Sequence, residues 1–398
     1  MMRREFEMKS AHAQSPASES SAQVAPRLRI AGVDPELGFG GGETQVLGLT
    51  LALAAAGHEA ELICDPAGRL WERATEAGIR CHPLRIRNAL DISAAIRLRG
   101  ILKREHYDIV HFHTSRAHSM APLVRGFAPA LIVTRRMDYR PNRIFAPYLF
   151  KRAVDCVVAI SNGVANSLAA AGVDRSCITV VPSGVDCERF RPPSADERAH
   201  ARARFGISER EIAIAAIGAL EPRKGHRYLI EAVAALAQSG VMLRCFVAGD
   251  GSIRADLERQ VAEQRCAGRV AILGRIEDSR ELLWASDIYA MPSLNEGLGV
   301  AALEAMASGL PAIVSATGGL REVVENDVSG ILVEPARADE IGAAIARLAN
   351  SAEIRAKVGA AARVRVEANY SMESMARQTL GLYRAALEKS RSERGSMK

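Results

Sequence analysis

The chain has 398 residues, 48% of them hydrophobic and 25% charged, with a formal net charge of +6. That balance is the one expected of a soluble globular protein, and the length calls for two domains rather than one. No apolar run reaches the roughly 18 residues that a membrane-spanning helix needs. Seven scattered cysteines without a C-x-x-C pair argue against a disulfide framework or a zinc site and for reduced, mostly buried thiols in a cytoplasm.

In chain order, residues 1–26 are rich in Ala, Ser and Gln and predict a disordered tail without a cleavable apolar segment, hence no secretion signal. From residue 27 short apolar runs alternate with segments of helical spacing: "RLRIAGVD", "EAELIC", "YDIVHFH", "ALIVTRR", "DCVVAIS" and "ITVVPSG" read as strands. Residues 27–190 form one unit of parallel sheet covered by helices on both faces. Residues 191–206, charged and Pro-containing, read as a linker. The alternation restarts over 207–369 with "EIAIAAIGAL", "LRCFVAGDG", "VAILGRI", "DIYAMPS", "LPAIVSA" and "GILV". The fold class is α/β, two doubly wound domains in series, and ligands of such sheets lie beyond the carboxyl ends of the strands.

Four of those strand ends carry chemistry. "GFGGGE" places Gly41 and Gly42 where a first strand turns into a helix, a tight turn that also lets a backbone approach an anion. "YDIVHFHTS" puts His111 and His113 on one side of a strand; no Asp, Glu or Cys set completes a metal site, which leaves His113 as a structural residue or a hydrogen-bond donor to a ligand. "TRRMDYR" supplies Arg135, Arg136 and Arg140, either solvated or facing an anion or acceptor. "PRKGH" sets Arg223 and Lys224 just ahead of a helix, where cations oppose the helix dipole unless an anion lies between. "AGDGSIR" is half a dinucleotide fingerprint and reads as a plain turn.

The segment "NEGLGVAALEAMASGLPAIVSATGG", residues 295–319, holds two acids, Glu296 and Glu304, among small and apolar residues. Eight residues of continuous helix would separate them by about 12 Å, too far for a paired carboxylate mechanism at roughly 5 to 9.5 Å. Glu296 instead falls in a loop and Glu304 about one turn inside the following helix. The amides of Gly297, Leu298 and Gly299 are then the unpaired N–H groups of a helix start, suited to phosphate or sugar hydroxyls. A capping acid plus an exposed helical acid is the simpler alternative.

Together, "GGE", "PRKG", the E-x7-E spacing of Glu296 and Glu304, the downstream Gly318-Gly319 pair and "GILV" resemble the retaining family 4 glycosyltransferases of GT-B fold. The resemblance covers about residues 28–388 and is most specific in its second half. It implies two Rossmann-like domains facing a central cleft, with a last helix at about 370–388 crossing back to the first domain and residues 389–398 forming a disordered tail. It implies a nucleotide-diphosphate sugar as donor substrate and no cofactor. Arg223 and Lys224 would hold the diphosphate, Glu304 the ribose, and Glu296 with the amides of Gly297–Gly299 the transferred sugar. The backbone at Arg275 and Ile276 would meet the base, Gly41 and Gly42 the phosphates, and His113 the sugar near the reacting carbon.

The expected activity is transfer of a hexose-type sugar to a glycan or lipid-linked acceptor in cell-envelope or exopolysaccharide synthesis. A nucleotide-sugar epimerase and a non-catalytic sugar-nucleotide-binding subunit are the alternatives. No D-x-D occurs, so metal dependence is not expected. Ser183 stands where the family often has Asn, and Leu298 where Phe is common, which leaves the donor sugar open. Residues 85–152 carry fourteen Lys/Arg against four Asp/Glu. This stretch points to an anionic membrane surface on the cytoplasmic side or an acidic acceptor; it has no aromatic stacking platform for nucleic acid.

Overall fold

A computed structural model describes residues 26–137, 150 and 153–395. The expected tail at 1–26 therefore lies outside the described residues except for its last residue, and so does Arg140. Thirteen parallel strands make two sheets among these residues. The first contains β1 (Arg29–Asp34), β2 (Glu59–Cys64), β3 (Cys81–Pro83), β4 (Ile109–Phe112), β5 (Ala130–Arg135), β6 (Cys156–Ala159) and β7 (Ile178–Val180). Its spatial order is β3-β2-β1-β4-β5-β6-β7. The second contains β8 (Ile212–Ile217), β9 (Leu243–Ala248), β10 (Val270–Gly274), β11 (Ile288–Met291), β12 (Ala312–Ser315) and β13 (Gly330–Val333), in the order β10-β9-β8-β11-β12-β13. Both sheets are Rossmann-like, and their order reverses between β1 and β4 and between β8 and β11. Crevices open at such switch points because the crossovers on either side leave by opposite faces.

The strands are buried on both faces, which is why they read as continuous apolar runs rather than as alternating ones. All six residues of β5 are buried, as are Ala213, Ile214, Ala215 and Ala216 in β8. Strand β3 has no counterpart among the runs read from the sequence. It is three residues long, lies at the sheet edge and ends on Pro83, so it presents no apolar run.

Two segments, and the burial of the cysteines, differ from their sequence expectation. Residues 191–206 are not a bare linker: they hold a helix, Ala195–Arg204, whose start is capped by Ser194 and Glu197. Asp287 fixes that helix to the second domain by accepting from Arg198 at 2.6 Å and from Arg202 at 3.0 Å. The last helix runs from Met372 to Gly395, through most of the stretch expected as a tail. Its Met375, Ala376, Leu380, Tyr383 and Leu387 join Leu28, Ile30, Leu49 and Leu53 in one buried cluster on the first sheet. The seven cysteines are all free, but only Cys64, Cys245 and Cys266 are fully buried.

Candidate active site in the cleft between the sheets

On the second domain the site is built at the β8/β11 switch point. Arg223 and Lys224 belong to a single 3-10 turn, Pro222–Lys224, after β8, and Gly225 then turns the chain into the helix His226–Gln238. The loop after β11 is stitched to this turn, since Leu294 N–H donates to the Arg223 carbonyl at 2.7 Å. Lys224 Nζ pairs with Glu296 Oε2, both side chains only 12% exposed, and Ser293 Oγ donates to the same oxygen at 3.3 Å. Arg223 is more open and pairs with Glu221 at 2.7 Å.

Glu296 sits in the loop and the helix Val300–Ala307 begins after Gly299, a left-handed N-cap with φ +94° and no side-chain cap. The amides of this helix start therefore keep their donors for something other than a capping side chain. The next loop closes on the backbone of the same residue. Gly319 N–H donates to the Glu296 carbonyl at 3.2 Å, and Gly318 has φ +48° with its missing Cβ aimed into that carbonyl. Only glycine fits there.

Glu304 lies one turn into the helix, half-buried, with no hydrogen-bond partner for its carboxylate among the described residues. Burial pushes its pKa up to about 7, with Arg189 opposing and Asp278 adding to the shift. Beneath both acids Tyr289 is fully buried and donates to the Ile217 carbonyl at 3.2 Å.

Leu298 is different in kind from its neighbours: its side chain is 2% exposed and packs into the core, leaving only its backbone to face a ligand. Ile276 likewise packs against the core. Arg275 is exposed and reaches across to the first domain, donating to the Phe39 carbonyl at 3.0 Å.

On the first domain the β1/β4 switch point holds Gly41 and Gly42 in the first turn of the helix Gly41–Ala55, with the Glu43 carboxylate accepting from Gly40 N–H at 2.7 Å. His113 follows β4 and is 4% exposed; its ring stacks at 4.1 Å on His111 and its Nδ1 has no partner. Burial first, then His111 and Arg136, hold its pKa well below the usual histidine value, so it is neutral at pH 7. His111 is a structural residue: Tyr383 of the last helix lies at 2.7 Å from Nδ1 and Thr134 at 2.6 Å from Nε2. The two strand-end arginines diverge. Arg135 turns to Ser115 Oγ at 3.3 Å, inside the domain, whereas Arg136 turns to the cleft, with Ser183 Oγ at 3.5 Å. The Arg136 carbonyl abuts Gly297 of the other domain so closely that a Cβ there would overlap it.

Asp34 completes this wall and was not singled out from the sequence. It ends β1, is 1% exposed, accepts from Glu36 N–H at 3.1 Å through Oδ1 and leaves Oδ2 without a partner. Burial raises its pKa to about 7, and the nearby Arg136 offsets part of that shift. An acid closing a strand at a switch point is the signal that would have found it. A second omission is Glu322, just past Gly318-Gly319, whose partners stand some 160 residues away.

One cluster of acids and histidine among the described residues has metal-like spacing, Glu61, His82 and Glu105. Glu61 lies in β2, His82 in β3 and Glu105 at the end of the helix Ile92–Glu105. Arg80 pairs with both acids at 3.2 Å, and Tyr107 donates to Glu61.

Residues 197–365 match the Glycosyl transferases group 1 family and residues 39–189 match Glycosyltransferase Family 4. The chain is 34% identical over 204 residues to a GDP-mannose-dependent monoacylated alpha-(1-6)-phosphatidylinositol monomannoside mannosyltransferase of Corynebacterium glutamicum, a match spanning 49% of this chain and 53% of that relative. It is 28% identical over 338 residues to the lipopolysaccharide core biosynthesis glycosyltransferase LpsE of Rhizobium meliloti, covering 84% of this chain and 93% of the relative. The Anabaena Alr3699/HepE structure in complex with UDP and glucose superposes with a TM-score of 0.80 at 20% identity, over 89% of this chain and 99% of the other. The two family matches occupy successive domains and together span most of the chain. The protein belongs to the family 4 glycosyltransferases and has the GT-B fold.

Proposed function

We propose that the protein is a retaining, metal-independent hexosyltransferase that moves a sugar from a nucleotide-diphosphate donor to a glycan or lipid-linked acceptor in cell-envelope or exopolysaccharide synthesis. The observation that carries this reading is the Lys224–Glu296 pair set against the uncapped helix start at Gly299. A cation from the turn after β8 and a carboxylate and several amide donors from the loop after β11 converge, which suits a diphosphate bonded to a polyol. Lys224, Arg223 and the helix start stabilise the charge that grows on the leaving diphosphate, and the fixed loops hold the sugar in line. Glu296 and Glu304 accept from hydroxyls at the two ends of the donor, and Arg275 with Ile276 frames the base. Gly41 and Gly42 bring the opposite backbone to the phosphates. Neutral His113 donates to the sugar near the reacting carbon.

No enzyme carboxylate stands ready as a covalent nucleophile in this reading. The leaving diphosphate itself takes the acceptor's proton on the face it leaves, and the anomeric configuration is retained. A panel of UDP-, GDP- and ADP-sugars incubated in the presence of chelator tests the donor assignment. Release of nucleotide from one of them, with an α-linked product on an added acceptor from an α-linked donor, is the expected result. An epimerised donor would mean an epimerase, and binding without turnover a non-catalytic subunit. An inverted product would overturn the retaining mechanism.

The acceptor side carries a surface suited to anionic lipid. Leu90, Ile92 and Ile96 are 84%, 67% and 62% exposed. Exposed Arg85, Arg87, Arg97, Lys103 and Arg104 occupy the same stretch. Apolar side chains with basic neighbours fit a headgroup layer, where each basic residue contributes about 1 kcal/mol. The peripheral placement on the inner face of the cytoplasmic membrane rests on this patch; no helix among the described residues is long and apolar enough to cross a bilayer. Co-sedimentation with anionic and with neutral vesicles checks it: binding to the anionic ones alone is expected, and equal negligible binding to both would remove it. The placement of Arg135 inside the domain leaves Arg136 as the strand-end cation for an anionic acceptor.

A further inference from the structure

The helix Asn162–Ala170 of the first domain starts with three N–H groups that need acceptors. Its own N-cap, Ser161, takes one of them, accepting from Val164 N–H at 3.1 Å. The other two go to the second domain: Glu322 accepts from Asn162 N–H at 3.0 Å and from Gly163 N–H at 3.1 Å, and the Asn162 side-chain amide adds a bond of 2.8 Å. One carboxylate from across the cleft thus completes the cap of a helix whose positive dipole end favours it.

The backbone of Glu322 is anchored where the chain crosses back between domains. Its carbonyl accepts from Tyr370 Oη at 2.8 Å and from Arg365 Nη2 at 2.9 Å, while the Tyr370 carbonyl accepts from Val185 N–H at 2.8 Å. Three residues upstream, Gly319 holds the Glu296 carbonyl, and a side chain on Gly163 would lie 3.5 Å from Gly318. The first domain therefore touches the glycine loop and its downstream acid at the same place.

We propose that Glu322 is a positioning residue: its carboxylate latches the two domains in the closed arrangement and holds the Thr317–Gly319 loop, and with it Glu296, in register with the first domain, without touching substrate. The kinetic side of this rests on the glycosyltransferase reading; the structural side does not. Misregister of a positioned group by about 1 Å costs on the order of 100-fold in rate, so loss of the latch reads out in turnover more than in nucleotide binding.

The test uses the full chain with Glu322→Ala, Glu322→Gln and, from the other domain, Asn162→Asp, which sets a second carboxylate against the first. Expected for Glu322→Ala and Asn162→Asp is a fall in kcat of about tenfold or more, with the Kd for UDP or GDP, measured without acceptor, changed less than about twofold. Glu322→Gln keeps an acceptor oxygen and recovers most of the rate. Small-angle scattering should show a larger radius of gyration for Glu322→Ala and Asn162→Asp than for the wild type. A lower melting temperature with kcat unchanged would reduce Glu322 to a local cap and overturn the proposal, as would an unchanged radius of gyration. Should Glu322→Ala fail to fold, Asn162→Asp reads the same latch. Should the wild type turn over no nucleotide sugar, the donor reading fails and scattering alone decides the latch.

Discussion

The two switch-point crevices share a strand order but differ in how the polar groups at their centres are held. In the second domain Lys224 and Ser293 pair with Glu296 and Arg223 with Glu221, while the Glu304 carboxylate and the His226 ring nitrogens have no partner among the described residues. Around these pairs the geometry is fixed by backbone sterics at Gly318 and by the uncapped amides after Gly299. In the first domain Asp34 Oδ2, His113 Nδ1, His118 Nε2 and Arg136 Nε are buried without partners. Orphaned buried groups cost stability, so this wall is kept at the expense of folding. The second-domain crevice thus has a paired centre, and the first-domain crevice a set of titratable groups without partners.

The largest effect expected from breaking this contrast is at Lys224. Lys224→Ala should lower kcat/KM by about a thousandfold, as loss of a charged transition-state contact does, and should also lower the melting temperature, because Glu296 is left without its buried partner. Steady-state kinetics beside a thermal melt check both halves of the statement. Gly318→Ala tests the steric side of the cradle. A Cβ at φ +48° against the Glu296 carbonyl should cost about 1–3 kcal/mol of stability and most of the activity, read by denaturant unfolding and the same assay.

Glu304→Gln keeps an acceptor but loses the charge. It should raise the donor KM by about tenfold, the difference between charged and neutral hydrogen bonds, with kcat less affected. Asp34, the unpartnered acid of the first domain, adds a test by pH. An acid whose folded pKa lies near 7 and whose unfolded pKa lies near 3.9 binds its proton more tightly when folded. Its stabilising contribution is present at low pH and declines as pH rises from about 4 to 7. Asp34→Asn removes that slope, so the melting temperature of the variant minus that of the wild type should climb by about 3 °C or more between pH 5 and pH 8. A difference that stays flat would mean Asp34 is paired or hydrated. The smallest effect belongs to the exposed patch. Leu90→Ser with Ile92→Ser and Ile96→Ser should weaken binding to anionic vesicles about tenfold and leave turnover of a soluble acceptor unchanged.

The same contrast explains what was readable from the sequence. The donor cradle is local: Glu296, Gly297, Gly299 and Glu304 fall within nine residues, and both glycine loops follow strands whose apolar runs are unmistakable. The six strands of the second sheet follow from those runs. The acceptor wall is not local. Arg136 meets Gly297 of the other domain, Gly163 meets Glu322 at a separation of 159 residues, and Tyr383 meets His111 at 272. No short motif announces such pairs. Strand β3 escaped because three residues ending in Pro83 carry no period, and the helix Ala195–Arg204 escaped because a polar surface helix held by Arg198, Arg202 and Asp287 looks like a charged linker when its partner is out of sight.

The central claim is that the turn carrying Lys224 and the loop carrying Glu296 and the helix start at Gly299 together form the diphosphate seat of a nucleotide-sugar donor. Calorimetric titration of UDP, GDP and ADP into chelator-treated wild type and Lys224→Ala measures it directly. One nucleoside diphosphate should bind the wild type with a Kd below about 1 mM, and Lys224→Ala should weaken that binding by about tenfold or more, the worth of a charge-assisted contact. Equal affinity of the two proteins, or no binding of any nucleoside diphosphate to the wild type, would contradict the claim.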